Sequence, residues 1–196
     1  MTTAIAFEKA KTIWIAIDNG VTCGNIKIPA ARKNWLIEHT NYIVAVSGRI
    51  DHCHWVEYLV MSDTGKESYF PNNIKGFEEK LREKILEDEH KGEDLNIEIL
   101  VTTPYHIYYA DSTLVFDEVE KYMAIGTGKE LALGAMSALY GRFGDTPQQA
   151  EDYLKDVYKS VTEFDNLTHP EFTARMFTPS DIKGSDYVDV NTKKKK

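Results

Sequence analysis

The order of its blocks constrains this chain more than any single residue does. Runs rich in β-branched and aromatic residues come first, TAIAFEK at 3–9 and TIWIAID at 12–18, joined by the short Lys9-Ala10-Lys11 link of a hairpin. NGVTCGN at 19–25 carries turn chemistry, IKI at 26–28 and NWLIE at 34–38 flank Pro29, and NYIVAVSG at 41–48 reads as a buried apolar strand ending in Gly48. Two amphipathic helices follow. HCHWVEYLVM at 52–61 has Asp51 as its expected cap, and FEEKLREKILEDEH at 77–90 sets Phe77, Leu81 and Ile85 among charges at helical spacing. After the polar break KGEDLN, the strands IEILVTT, HIYYA, STLVFDE and EKYMAIG run to Gly126. GKELALGAMSALYGRF at 128–143 and TPQQAEDYLKDVYKSVTEF at 146–164 are the last two helices, the second opened by Thr146 and Pro147. Strands, a helix pair, strands, a helix pair, with no βαβ alternation: the expected fold class is α+β, a four-layer αββα sandwich of two antiparallel sheets flanked by helix pairs.

With 196 residues and no internal repeat or linker, residues 1–171 read as one domain. From Phe172 onward no periodicity is evident and the chain ends in four lysines, so 172–196 is expected to be an extended, partly mobile extension. A net charge of -8 argues against general nucleic-acid binding, which needs a basic surface, and leaves room only for a local basic patch. The apolar runs fall far short of the roughly 20 residues of a membrane helix. Two cysteines and the lack of a basic-then-apolar start give no disulfide scaffold or signal peptide, so no membrane partner is expected and the cytoplasm is the expected location.

The chemistry begins at Thr2. In the ordinary reading Thr2 and Thr3 open a strand and Asp18 closes the next one at a turn. In the sharper reading, removal of Met1 leaves Thr2 with a nucleophilic hydroxyl and a free amine, its own base, on one residue. Other signals have plain explanations. His52, Cys53 and His54 are neighbours on a helix, pointing in different directions, and no second cluster has zinc spacing, so no metal is expected. Cys53 as a papain-like nucleophile has no supporting local sequence.

The block order together with this terminal threonine resembles the N-terminal nucleophile hydrolases, and more closely the proteasome β-subunit family, including the bacterial peptidase subunit that works with an unfoldase ATPase. The resemblance runs from Thr2 to Thr168 and rests on separate stretches. AIDNGVTCGN at 16–25 matches the family segment A-x-D-x-x-x-T-x-G-N, placing Asp18 sixteen residues after Thr2 and Thr22 at the motif threonine. Lys33 in AARKNWLI matches the family lysine at a spacing one residue shorter, with Arg32 beside it as the alternative cation. VAVSGR at 44–49 supplies the small-Gly pair as Ser47-Gly48. AIGTGKELALGAMSAL at 124–139 matches A-x-G-S-G before a small-residue helix, with Thr127 in the serine position, and EFDNLT at 163–168 matches E-F-D-x-x-S as Asp165 and Thr168. Both threonines keep a hydroxyl donor and acceptor.

What the resemblance implies is a threonine-type endopeptidase that needs no cofactor. Thr2 is the expected nucleophile, with Lys33 depressing the pKa of the terminal amine, Asp18 holding that lysine, and the Gly48 N–H facing the oxyanion. Thr127, Asp165 and Thr168 are expected around the amine, Thr22 along the substrate backbone, and Val46 and Ile50 as walls of an apolar specificity pocket. The implied partners are a polypeptide substrate, further copies in a homo-oligomeric ring, and an unfoldase ATPase. Two alternatives stay open: a catalytically silent structural subunit of the same fold, and an N-terminal nucleophile enzyme acting on a small amide.

Overall fold

Four strands of this chain are buried along nearly their whole length, on both faces, and that decides where they lie. In the computed structural model, residues 2–9, 11–23, 26–29, 35–64, 68–87 and 95–177 are described, with 21–23, 26–29, 86 and 87 by backbone alone. β1 (Thr3–Lys9) and β2 (Thr12–Asp18) pair antiparallel in the register Ala4↔Ile17 to Lys9↔Thr12, closing the expected hairpin. On one face of this pair, Ile5, Phe7, Trp14 and Ala16 meet Met136, Tyr153, Leu154 and Val157 of two outer helices. On the other, Ala4, Ala6, Ile13, Ile15 and Ile17 meet Ile43, Ala45, Leu100 and Ile107 of a second sheet. A strand covered on both sides must be apolar at successive positions, the pattern TIWIAI carries.

With β10 at Tyr122–Gly126 and β11 at Phe172–Phe177, the first sheet has the order β10-β1-β2-β11, and a second sheet of five strands faces it. The second sheet comprises β5 (Leu36–Glu38), β6 (Ile43–Gly48), β7 (Ile97–Thr102), β8 (Ile107–Ala110) and β9 (Asp117–Val119). Val44, Val46, Ile99 and Val101 on its outer face pack under α1 (Ile50–Ser62) and α2 (Ile74–Glu87), against Cys53, Val56, Phe77 and Leu81. β10 (Tyr122–Gly126) completes the first sheet on the β1 side, and α3 (Lys129–Leu139) and α4 (Pro147–Phe164) cover it. The result is the αββα sandwich. Each fully buried large apolar side chain contributes about 1.5–3 kcal/mol, so three apolar layers are the main stabilising term. A short ribbon of β3 (Gly20–Cys23) and β4 (Ile26–Pro29) follows β2.

Several boundaries move from expectation. Arg49, not Asp51, occupies the cap of α1; Asp51 lies in the first turn, where Arg49 Nη2 donates to its carboxylate at 2.7 Å. The expected strand 112–118 shortens to Asp117–Val119, because Leu114 turns the chain with φ 57°. Thr146 caps α4 through a capping box with Gln149, as Thr-Pro at its start anticipates. The segment taken as the start of an extension is ordered: β11 (Phe172–Phe177) pairs with β2, Phe172 opposite Asp18, and buries Ala174 and Phe177. Residues 178–196 lie outside the described residues.

Candidate active site

The strand ends that open the sandwich bring the front of the chain to a polar cluster. Thr2, Thr3, Asp18 and Thr168 are all buried there, Thr2 with 4% of its surface exposed and the others with none. Asp18 ends β2, and its carboxylate organises the group. Oδ1 accepts the Thr2 hydroxyl and the Gly20 N–H at 3.2 Å. Oδ2 accepts the Thr3 N–H at 3.2 Å and the His169 N–H at 3.1 Å. Burial pushes this carboxyl above its ordinary range, against the pull of those four donors.

A second set of contacts fixes Thr3. Its hydroxyl accepts the Gly128 N–H at 2.9 Å and lies 2.6 Å from the Thr168 hydroxyl, which donates to Asp165 Oδ2 at 2.6 Å. Since the Thr168 proton points at Asp165, Thr3 donates to Thr168, and the run Gly128–Thr3–Thr168–Asp165 is ordered in one direction. The Tyr158 hydroxyl of α4 donates to the Thr3 carbonyl at 3.1 Å. Asp165 and Thr168 therefore reach Thr3 and hold the strand start, one residue after the amine they are expected to surround.

The Thr2 carbonyl sits between the two sheets. Ser47 at the end of β6 donates its hydroxyl to it at 3.1 Å. Gly126 at the end of β10 passes so close that a Cβ there would lie 1.6 Å from the same oxygen, and its φ of +92° favours glycine independently. Gly48 next to Ser47 has φ +143°, and a Cβ on it would meet the Asn96 carbonyl at 2.1 Å. The Thr127 hydroxyl between Gly126 and Gly128 is buried and makes no hydrogen bond among the described residues. It lines an open cleft of about 500 Å³ with Ser47, Glu98, Gly126 and Lys129.

The remaining expected positions are scattered. Val46 is fully buried under α1 and α2, so it has no surface to offer a pocket, whereas Ile50 begins α1 with 54% exposed. Thr22 lies on the β3 backbone opposite Lys27. Lys33 and Arg32 lie outside the described residues. Cys53 is buried in the outer core, which pushes its thiol up to about 12 and disarms it as a nucleophile. His52 stacks on Trp55 while His54 pairs with Glu57, so the two rings face apart. Sequence reasoning passed over Thr3, the Ser47 side chain, Glu98 and His169. A lone glutamate inside the apolar run IEILV was the one visible signal among them.

No family model matches the chain, and no curated protein matches it. Solved structures do. BPH of Thiobacillus denitrificans in complex with epoxomicin superposes with a TM-score of 0.72 at 19% identity, covering 90% of this chain and 98% of that one. The same protein without that ligand gives 0.73 at 18% identity over the same shares. Eukaryotic HslV of Trypanosoma brucei gives 0.71 at 19% identity, covering 90% of this chain and 99% of that one. The chain shares the four-layer αββα fold of these structures over nine-tenths of its length. No helix among the described residues is long and apolar enough to cross a membrane.

Proposed function

We propose that this chain is a threonine-type endopeptidase of the proteasome-like kind, active once the Thr2 amino group is free of Met1. The observation that carries the reading is the hydrogen bond from the Thr2 hydroxyl to the buried Asp18 carboxylate at the open end of the sandwich. An apolar pair of the same shape would avoid the desolvation cost of both groups, so the buried pair is better explained by chemistry than by packing.

The chemistry follows from balance of protons. A terminal amine with an ordinary pKa of about 7.7–8.0 is a poor base at neutral pH unless a neighbouring cation depresses it. By the resemblance Lys33 takes that role, and a cation beside the buried Asp18 would favour its charged form together with the four donors already on it. The amine accepts the Thr2 hydroxyl proton as the oxygen attacks a peptide carbonyl. The tetrahedral oxyanion takes the Gly48 N–H, collapse breaks the C–N bond, and the ammonium returns its proton to the leaving amine. Water then hydrolyses the ester by the same route in reverse. Thr127 is suited to hold the amine or a bridging water with its unused hydroxyl, and Thr22 to bond the substrate backbone from β3.

The partners of this reading are an extended polypeptide, further copies of the chain in a ring, and an unfoldase ATPase. The test is hydrolysis of an unfolded polypeptide and of fluorogenic peptides by purified protein of known amino terminus and native mass. Cleavage by a ring, lost in Thr2→Ala and partly kept in Thr2→Ser, is expected. Cleavage that survives Thr2→Ala, or hydrolysis of small amides alone by a monomer or dimer, contradicts the proposal.

A further inference from the structure

The layer between the two sheets is built from Ala4, Ala6, Ile15, Ile17, Ala45, Leu100 and their neighbours, and a polar contact across it stands out. Ser47 and Glu98 are cross-strand partners in the β6–β7 register, so they share a face, the one turned toward the first sheet. Thr3 and Gly126 are partners in the β1–β10 register of that first sheet. Across the gap, Ser47 donates to the Thr2 carbonyl at 3.1 Å, and Glu98 Oε2 accepts the Gly126 N–H at 2.7 Å. The two adjacent side chains thus bond the two adjacent strands that frame the front of the chain.

Glu98 is held in turn. Lys129, at the start of α3, donates its ammonium to Oε1 at 2.5 Å, and the Tyr109 hydroxyl donates to the same oxygen at 3.4 Å. The glutamate side chain keeps 19% of its surface and lines the cleft beside Ser47 and Thr127. Charged acceptors make the stronger hydrogen bonds, and a partly dry site strengthens them further. Glu98 and Lys129 therefore bracket the Gly126–Gly128 turn from below. That turn is also where the Thr2 carbonyl packs on the bare Cα of Gly126 and where the Thr3 hydroxyl takes the Gly128 N–H.

We propose that Glu98 is a positioning residue: by clamping the Gly126 amide across the inter-sheet gap, it fixes the turn against which Thr2 is aligned. Its consequence for rate rests on the peptidase reading above; the clamp itself does not. A misplacement near 1 Å at a reacting group costs up to about 100-fold in rate, so loss of the clamp lowers turnover without changing what binds.

The experiment has two arms on the full chain. Amide exchange at Gly126, read by NMR or mass spectrometry, is expected to be slow in the wild type and intermediate in Glu98→Gln, whose carbonyl accepts the Gly126 N–H only by turning its NH2 toward the Lys129 ammonium. It is expected to be fast in Glu98→Ala and in Glu98→Asp, which keeps the charge but falls a methylene short, and which serves if the alanine variant does not fold. In the second arm, inactivation by an epoxyketone is followed against its concentration. The limiting rate should fall roughly 10- to 100-fold in Glu98→Ala and Glu98→Asp, with the half-saturating concentration within about twofold, and Glu98→Gln should fall between these and the wild type. A Gly126 amide that stays protected in Glu98→Ala, or an exposed amide with the limiting rate unchanged, overturns the proposal. A wild type that takes no label at Thr2 sinks the peptidase reading, while the exchange pattern still decides the clamp.

Discussion

The two ends of the β1–β2 hairpin face one problem, polar groups beside a packed core, and resolve it in opposite ways. At the closed end, Lys9 donates its ammonium to the Tyr140 carbonyl at 2.8 Å and to the Phe143 carbonyl, and lies over the Tyr140 ring. One half-buried cation satisfies the carbonyls that α3 leaves at its end, which is a stabilising arrangement. At the open end, a buried carboxylate, three buried threonine hydroxyls and several backbone N–H groups are gathered where apolar side chains would pack at less cost. The closed end reads as architecture, and the open end as a site kept despite its cost.

Substitutions can break that contrast. The largest effect is expected from Gly126→Ala, whose methyl has no room beside the Thr2 carbonyl. It should lower stability by more than about 3 kcal/mol in urea unfolding and remove Thr2-dependent cleavage; wild-type stability would refute the close approach. Asp18→Asn comes next. Both carboxylate oxygens accept from donors, so an amide NH2 meets an N–H whichever way it turns. A loss of about 1–3 kcal/mol is expected, with cleavage down at least about 100-fold. Lys9→Met should cost about 1–2 kcal/mol and leave cleavage unchanged, since its contacts belong to the far end; an equal loss of both would erase the distinction between the ends.

The smallest effect is in pH. Burial raises the Asp18 carboxyl, so the folded chain holds that proton more tightly than the unfolded one. That contribution to stability is complete below the ordinary carboxylate pKa, about 3.9, and declines as pH rises through the raised value. If Lys33 is the cation of the proposed mechanism, it offsets the decline. Thermal midpoints of Lys33→Met should therefore fall more steeply than those of the wild type as pH is raised from 4 to neutrality, and parallel profiles would assign the cation elsewhere.

Much of the fold was legible because burial on two faces leaves a mark: TIWIAI and YIVAV can lie only between layers. The β11 segment escaped notice since FTARMF is short and carries Arg175, whose guanidinium turns to Glu38 at the rim. Of the expected site residues, Thr2 and Asp18 came from the family resemblance, and the structure brings them into hydrogen-bond contact. Val46 was misassigned as a pocket wall because residues alternate across β6, and the outward side of that strand is covered by α1 and α2. Glu98 could not be ranked from sequence, because only the β6–β7 register brings it beside Ser47.

The account turns on Thr2 acting with its own free amine, and one measurement addresses both groups together. An epoxyketone offers a ketone to the hydroxyl and an epoxide to the amine, so peptide mapping of the labelled, natively purified chain reports them at once. The expected result is a fragment beginning at Thr2 that carries the probe through both atoms, absent from Thr2→Ala. Protein that retains Met1 and cleaves peptides nonetheless, or a probe attached to another residue, would contradict it.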